Sequence, residues 1–589
     1  MRRHDGRGRT RRGGAARLLA VLAVALTLVG CATIPETSEP EAVGPRGDSR
    51  RGGQTAQPPR NADPLTLVRR YVEASSNPEG GHASAKAYLT RKARGNWRDD
   101  TSVWIIAREF DTVYTGDRDG GRSEDQARVL LRGKWKGRLV RDNAFLPESG
   151  DFELQLRLEK EDGEWRLAEV PDGVVTTIDG FNENYTPAPV YFLNPRRNTM
   201  VADVRYVQTQ PASAQANTVV DMLLRGPSSA LRDSVRSAIP EGVRTRSNVA
   251  EGTDGAMLVN LSDLGQQTPQ SRQLIVAQIV LSLEKVTNTR IKVLSENVPV
   301  VPDQPDWRRG DVASFVPEAA PNQDLRGMVA VGGRLRSLSR GEPVKGPVSG
   351  YDVVSAAQSV DGGKLAAVVR VPSGGVVLRV GPAEEALSEA TQPVGQMTRP
   401  TWMPPAGDKG ATEVWTVTEG STVLSVSANG QGGWSSRQVN ATELTNNGPI
   451  SDLRLSRDGI RVAAVVGGRL FLGSVVDNGG EISVRNVRKV LPDVLNTVTS
   501  VDWQGPNTVV AASSSNSTPV VRVTVDGREW KLYNASNLTP PVTAVAAAPN
   551  RQVVVADSRG LWTTVDDTEV WRVHDSNIAQ AGAIPFYPG

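Results

Sequence analysis

The sequence predicts a multidomain protein: an α+β cone-like N-terminal domain, an α/β middle domain and an all-β propeller of six blades with a composite closing blade. Three observations carry this. The first thirty residues read as an export signal. Helical and strand patterns mix from residue 63 to about 300, then give way to strands alone. In that last region a pattern restarts every 44 to 52 residues or so, the length of a four-stranded blade.

Seven arginines fall in the first 17 residues, and the apolar run Leu18 to Val29 follows. About a dozen apolar residues suit a secretory signal and fall short of the ~20 that span a bilayer. The run ends at Leu28-Val29-Gly30-Cys31, and Cys31 is the one cysteine in 589 residues. Slim residues before a thiol suit a peptidase cleft, and the thiol is a nucleophile for acylation. The stretch resembles the lipobox of bacterial lipoproteins, whose cysteine is diacylated on sulfur and becomes the new N-terminus. Cys31 is therefore the expected lipidation site, carrying S-diacylglycerol and an N-acyl chain, which together anchor stably where one chain does not. With Cys31 acylated, disulfides, thiolate zinc sites and cysteine nucleophiles are excluded.

Residues 1–30 hold seven arginines and one aspartate, so their removal turns the formal charge from +3 to −3. Nothing in that balance attracts nucleic acid. Residues 31–62, rich in Pro, Gly, Ser and charge, read as a lipidated, flexible tether.

The cone-like domain is expected over 63–186. Asp63-Pro64 is an N-cap acid followed by proline, opening a helix in which Leu65, Val68, Tyr71 and Val72 recur at helical spacing. His82 to Leu89 predicts a second helix. Strands follow at Val113-Tyr114, Ala127 to Leu131 and Phe152 to Leu158, the last pairing through Asp162-Gly163 with Trp165 to Val170. Helices first and then a curved meander look like the cone shared by nuclear-transport-factor-like domains.

Residues 187–300 change character. Val190 to Leu193 and Val201 to Val207 read as strands, Thr218 to Leu224 as a helix closed by Gly226-Pro227, and Ala256 to Leu261 as a strand, with another near Val243. A long amphipathic helix is expected over Ser271 to Val286, before a strand at Arg290 to Leu294. The run from VYFLN through LLRGPSSALRDSVRSAIPEGV and VNLSDL to IVAQIVLSLEKV is similar to the GerMN domain of spore-germination lipoproteins. That resemblance implies a small α/β envelope module, not a catalyst. Residues 301–326 read as a linker.

The propeller is expected over 327–589. Blades open at Val353, Arg399, Ile450, Thr499 and Thr543, and Asp361-Gly362 and Asp458-Gly459 recur at equivalent turns. Gly582 to Gly589 resembles only the opening strand of a blade. Met328 to Val331, Arg334 to Leu338 and Glu342 to Lys345 resemble the other three strands. Together they make a sixth, composite blade, with seven blades as the alternative count.

Candidate chemistry is sparse. Of three histidines, His4 leaves with the signal, and His82 and His574 fall in different domains, which disfavours a triad or a histidine metal site. Ser282-Leu283-Glu284-Lys285 has Ser-x-x-Lys spacing without its companion motifs and reads as a surface coincidence. Asp117-Arg118-Asp119-Gly120 resembles part of a calcium loop but lacks the third acid. No Walker or dinucleotide motif occurs. Twelve tryptophans could line a sugar-binding funnel, although blade cores use tryptophan routinely. A binding protein without cofactor, metal or catalytic residues is expected.

The order of lipobox, tether, cone, GerMN domain and propeller, ending in Tyr587-Pro588-Gly589, resembles the lipoprotein LpqB family of actinobacteria. The resemblance implies a lipid-anchored protein on the outer face of the cell membrane. It implies as partner the extracytoplasmic domain of a two-component sensor kinase, of the MtrA–MtrB type, with effects on cell-wall homeostasis and division. The alternative is a cell-wall glycan or peptide receptor using an apolar, Trp-lined propeller funnel.

Overall fold

The computed structural model describes residues 57–115, 124–316, 321–406, 410–430, 432–574, 578 and 582–589. The signal-like segment, His4, Cys31, the tether up to residue 56 and Asp117 to Gly120 lie outside the described residues.

The first domain opens with helix α1, Pro64–Ser75, capped as expected: the Asp63 carboxylate accepts from the Leu65 and Thr66 amides. Helices α2 (Glu79–Lys86) and α3 (Arg91–Asn96) follow. The expected second helix is shorter than its periodicity predicts, because Gly80, Gly81 and His82 all take left-handed φ and regular helix begins only at Ala83. Strands β1 (Val103–Ile106), β2 (Asp111–Tyr114), β3 (Gln126–Leu139), β4 (Phe145–Leu146), β5 (Asp151–Glu161), β6 (Glu164–Glu169) and β7 (Val174–Thr177) form one curved sheet. Its order is β6-β5-β3-β1-β7, with β2 and β4 also on β3. The β5–β6 hairpin turns through Asp162 and Gly163, both at positive φ, as an Asp-Gly turn of the primed type requires. Helix α1 packs on β2, β3, β6 and β7, burying Leu67, Val68, Tyr71 and Val72.

Helix α4 (Ile178–Asn184) leads directly into the hairpin β8 (Tyr185–Asn194) and β9 (Thr199–Gln208), which starts the middle domain. Helix α5 (Ala212–Arg225) ends at Gly226, whose φ of 91° suits a residue without Cβ. Strands β10 (Ala250–Glu251), β11 (Met257–Leu261), β12 (Ile291–Ser295) and β13 (Val298–Pro299) form a second sheet. The strand expected near Val243 is a loop with a lone bridge from Thr245 to Leu261. Helix α6, Pro269–Leu283, differs from its amphipathic expectation: every residue from Leu274 to Leu283 is buried. It is the domain's central pillar, touching β8, β12, α5 and a 3-10 helix at Arg309–Phe315. The segment read as a linker supplies that last neighbour, with Trp307 and Val312 buried in the middle-domain core.

Among the described residues the last domain forms six sheets. Five are four-stranded and span 353–389, 401–438, 450–489, 498–532 and 544–573. The sixth joins strands Met328–Val331 and Arg334–Ser337 to Ile584–Phe586, with Met328 opposite Phe586. The first strand of each sheet packs on the first strand of the next, and Ile584–Phe586 also touches Val353–Gln358, so the ring closes. Glu342 to Lys345, read as a strand, makes only the bridge Arg336 to Pro343, in which the Ser337 amide donates to the Glu342 carbonyl and the Val344 amide to the Leu335 carbonyl. Apolar clusters fill the spaces between neighbouring sheets.

Candidate interaction surface

Three domains meet at Tyr206 on β9, which is 2% exposed. Its ring lies 6.3 Å from Phe145 and 5.5 Å from Phe181 of the cone-like domain. Its hydroxyl donates to Asp526 of the propeller and accepts from Arg528 Nε at 2.9 Å, while the Arg528 guanidinium also covers the ring. Burial and the Asp526 carboxylate hold the phenol protonated far above its ordinary range. Arg528 also donates to Asn182 of the cone-like domain. Beside it, Arg205 is fully buried, paired with Asp203 at 2.6 Å and donating to the Asp142 carbonyl across the domain boundary. These aromatic and charge-assisted contacts join the three domains into one body.

The tip of the β8–β9 hairpin docks on one face of the propeller. Arg196 pairs with Glu413 at 3.3 Å and Asp477 at 3.1 Å, Arg197 donates to the Pro405 carbonyl at 2.9 Å, and Asn194 to the Asp458 carbonyl at 3.2 Å. Ile460 of the propeller enters the middle-domain core.

Charged side chains fill the propeller axis. Arg399 donates to the Pro585 carbonyl at 2.8 Å and pairs with Asp502 at 3.3 Å. Arg454 bridges the Arg399 and Pro400 carbonyls and pairs with Asp452 at 3.0 Å. Burial raises Asp452 above the usual carboxylate range, and Arg399 opposes that shift. These contacts tie separate sheets across the ring.

Exposed apolar side chains concentrate in one stretch of the sequence. Of seven large hydrophobic side chains exposed among the described residues, five fall between Trp530 and Val573: Trp530, Leu532, Val565, Val570 and Val573. Strands Trp530–Leu532 and Arg572–Val573 are the outermost strands of two neighbouring sheets, with backbone edges free to pair. Asp567 links them, accepting from Arg522 at 3.0 Å and lying 3.8 Å from Lys531. Trp530, 42% exposed, also walls a groove with Ile178, Tyr185, Pro187 and Arg528, so the edge continues onto the Tyr206 junction. An exposed tryptophan and leucine on an outermost strand, beside a groove at a rigid junction, can hold a protein.

The chain matches the family model "Lipoprotein LpqB beta-propeller domain" over 333–588, "Lipoprotein LpqB, N-terminal domain" over 57–182, and "Sporulation and spore germination" over 189–301. It is 32% identical to Lipoprotein LpqB of Rhodococcus jostii over 97% of both chains. The chain belongs to the LpqB lipoprotein family. Lipoprotein LpqB of Rhodococcus opacus is likewise 32% identical, over 96% of this chain and 97% of its own length. That of Mycolicibacterium smegmatis is 30% identical over 97% of this chain and all of its own. No helix among the described residues is long and apolar enough to cross a membrane.

Within this LpqB fold the residues weighed for chemistry scatter. His82 is buried edge-on to Trp97, its Nδ1 3.2 Å from the Ser75 carbonyl, and burial lowers its pKa. His574 lies in the propeller, not the cone-like domain, and contacts the Leu338 carbonyl there. Ser282 is buried, not on the surface: it donates to the Gln278 carbonyl and accepts from the Tyr191 amide. Lys285 is exposed past the helix end, so the two form no pair. Asp361 and Asp458 each accept from a serine two residues back, at turns with Gly362 and Gly459 at positive φ. Trp402 and Trp503 sit between sheets, their indoles donating to the Ala357 and Arg454 carbonyls. No cluster of three or more His, Cys, Asp or Glu suited to a metal occurs among the described residues. The hairpin arginines and exposed Trp530 were not singled out by sequence. Only Pro195-Arg196-Arg197-Asn198 between two strands, two cations in a turn, offered a signal.

Proposed function

We propose that this lipoprotein, anchored through Cys31 on the extracytoplasmic face of the cell membrane, binds a two-component sensor kinase of the MtrA–MtrB type and modulates its signalling, affecting cell-wall homeostasis and division. The observation that carries a protein-binding role is the exposed pair Trp530 and Leu532 on an outermost strand of the propeller, beside the groove at the domain junction. The kinase as partner rests on the family resemblance. A lipid tether confines the protein to the layer occupied by kinase ectodomains, where raised effective concentration makes weak contacts sufficient. The wall-ligand alternative loses its motive, because Trp402 and Trp503 are hydrogen-bonded between sheets and arginines occupy the axis. Photo-crosslinking from position 530 in intact cells tests the proposal. Capture of the kinase ectodomain is expected; capture of wall fragments without kinase would contradict it.

Cys31→Ala is expected to move the protein out of the membrane fraction, because the remaining tether is polar. Fractionation after a salt wash checks this. A processed variant that stays in the membrane would contradict lipid anchoring at Cys31.

A further inference from the structure

Where the β8–β9 tip meets the propeller, a cavity of about 100 Å³ is walled by Arg197, Thr199, Trp402, Met403, Ser456 and Arg457, among others. Its donors lack acceptors. Arg457 gives its terminal nitrogens to the Pro588 and Ala547 carbonyls, but its Nε is buried and unpartnered. The Thr199 hydroxyl is buried and unpartnered as well. Arg197 uses one terminal nitrogen on the Pro405 carbonyl. Neither arginine has a carboxylate within ion-pair distance among the described residues, whereas Arg399, Arg454 and Arg461 nearby each have one within 3.3 Å. The acids around them are engaged elsewhere: Asp458 by Arg461 at 2.8 Å and by Ser456, Glu413 by Arg196 at 3.3 Å and Asp502 by Arg399 at 3.3 Å; Gly589 also lines the cavity beside Arg457.

Burial without a partner is costly for a cation, and both guanidiniums register it. Burial lowers the pKa of Arg457, and burial together with neighbouring Arg196 brings Arg197 down to about 10. Two cations and a hydroxyl converging on one enclosed space make a receptor for negative charge. The space is several times what a water needs and too small for a sugar ring.

We propose that this cavity binds one small oxyanion, a phosphate or carboxylate group, between Arg197, Arg457 and Thr199. The anion neutralises both guanidiniums, satisfies Arg457 Nε and the Thr199 hydroxyl, and cements the middle domain to the propeller. It is independent of the kinase reading, since no residue of the Trp530 edge takes part.

The test is titration of the full chain in detergent with inorganic phosphate, glycerol phosphate and acetate at constant ionic strength, read by calorimetry and melting temperature. Saturable binding with a rising melting temperature, not reproduced by chloride, is expected. Tighter binding of inorganic phosphate identifies a free ion, and tighter binding of glycerol phosphate identifies the end group of a larger molecule. Thr199→Val and Arg457→Gln should each weaken binding at least tenfold, roughly the loss of one charge-assisted contact. No saturable binding up to roughly 10 mM, a very weak affinity, would overturn the proposal. So would Thr199→Val binding as tightly as the wild type.

Discussion

Tyr206→Ala is expected to uncouple the cone-like domain from the rest of the body. The substitution removes a buried ring that touches Phe145 and Phe181, and strips a hydroxyl from Asp526 and Arg528. Large-to-small changes of buried aromatics cost about 3–5 kcal/mol, and here the loss falls on the shared interface. Calorimetry should resolve two transitions in place of one, with faster exchange of the residue-206 amide, which donates to the Asn143 carbonyl, and of the Asn143 side-chain amide, which donates to the residue-206 carbonyl. Tyr206→Phe keeps the ring and should cost only about 1–3 kcal/mol, the loss of a buried hydrogen-bond partner. A Tyr206→Ala protein that melts in one step at the wild-type temperature would mean that the domains are held elsewhere.

Removing residues 582–589 should open the propeller. Strand Ile584–Phe586 fills the first position of the composite sheet, and Phe586 and Tyr587 enter the clusters on its two sides. Losing two buried aromatics costs about 3–5 kcal/mol each by large-to-small precedent. The deletion also takes the Pro585 and Pro588 carbonyls from Arg399 and Arg457. The edge of Met328–Val331 is then unpaired, and limited proteolysis should cut 328–345 first. A truncated protein as stable as the full chain would show that ring closure does not depend on this strand.

Local signals were legible in the sequence wherever one residue pair decides a conformation. Asp63-Pro64 caps α1, Asp162-Gly163 turns the β5–β6 hairpin, and the Asp-Gly pairs at 361 and 458 turn their blades. Composite pairing was legible because an orphan first strand and its partners Met328–Val331 and Arg334–Ser337 lay at opposite ends of one repeat array. The character of α6 was not. Periodicity reports whether one face meets a core, whereas α6 has neighbours all round, including a segment whose prolines and aspartates read as linker. The candidate surface was hidden for a related reason. A tryptophan in a strand ordinarily reads as core, and only its place on an outermost strand exposes Trp530, while Trp402, Trp415 and Trp503 are buried. The hairpin arginines took meaning only once the tip met the propeller across more than two hundred residues of sequence.

The protein-binding edge is tested most directly by the affinity of the full chain, in detergent, for the sensor kinase's extracytoplasmic domain, compared between the wild type and Trp530→Ser/Leu532→Ser. Both side chains are solvent-exposed, so the double variant should fold and melt like the wild type. Saturable wild-type binding is expected, weakened at least tenfold in the variant, as for loss of an aromatic anchor worth about 2 kcal/mol or more. Equal affinity in the two proteins would place the contact elsewhere, and no kinase binding beside saturable binding of a wall fragment would contradict the kinase reading itself.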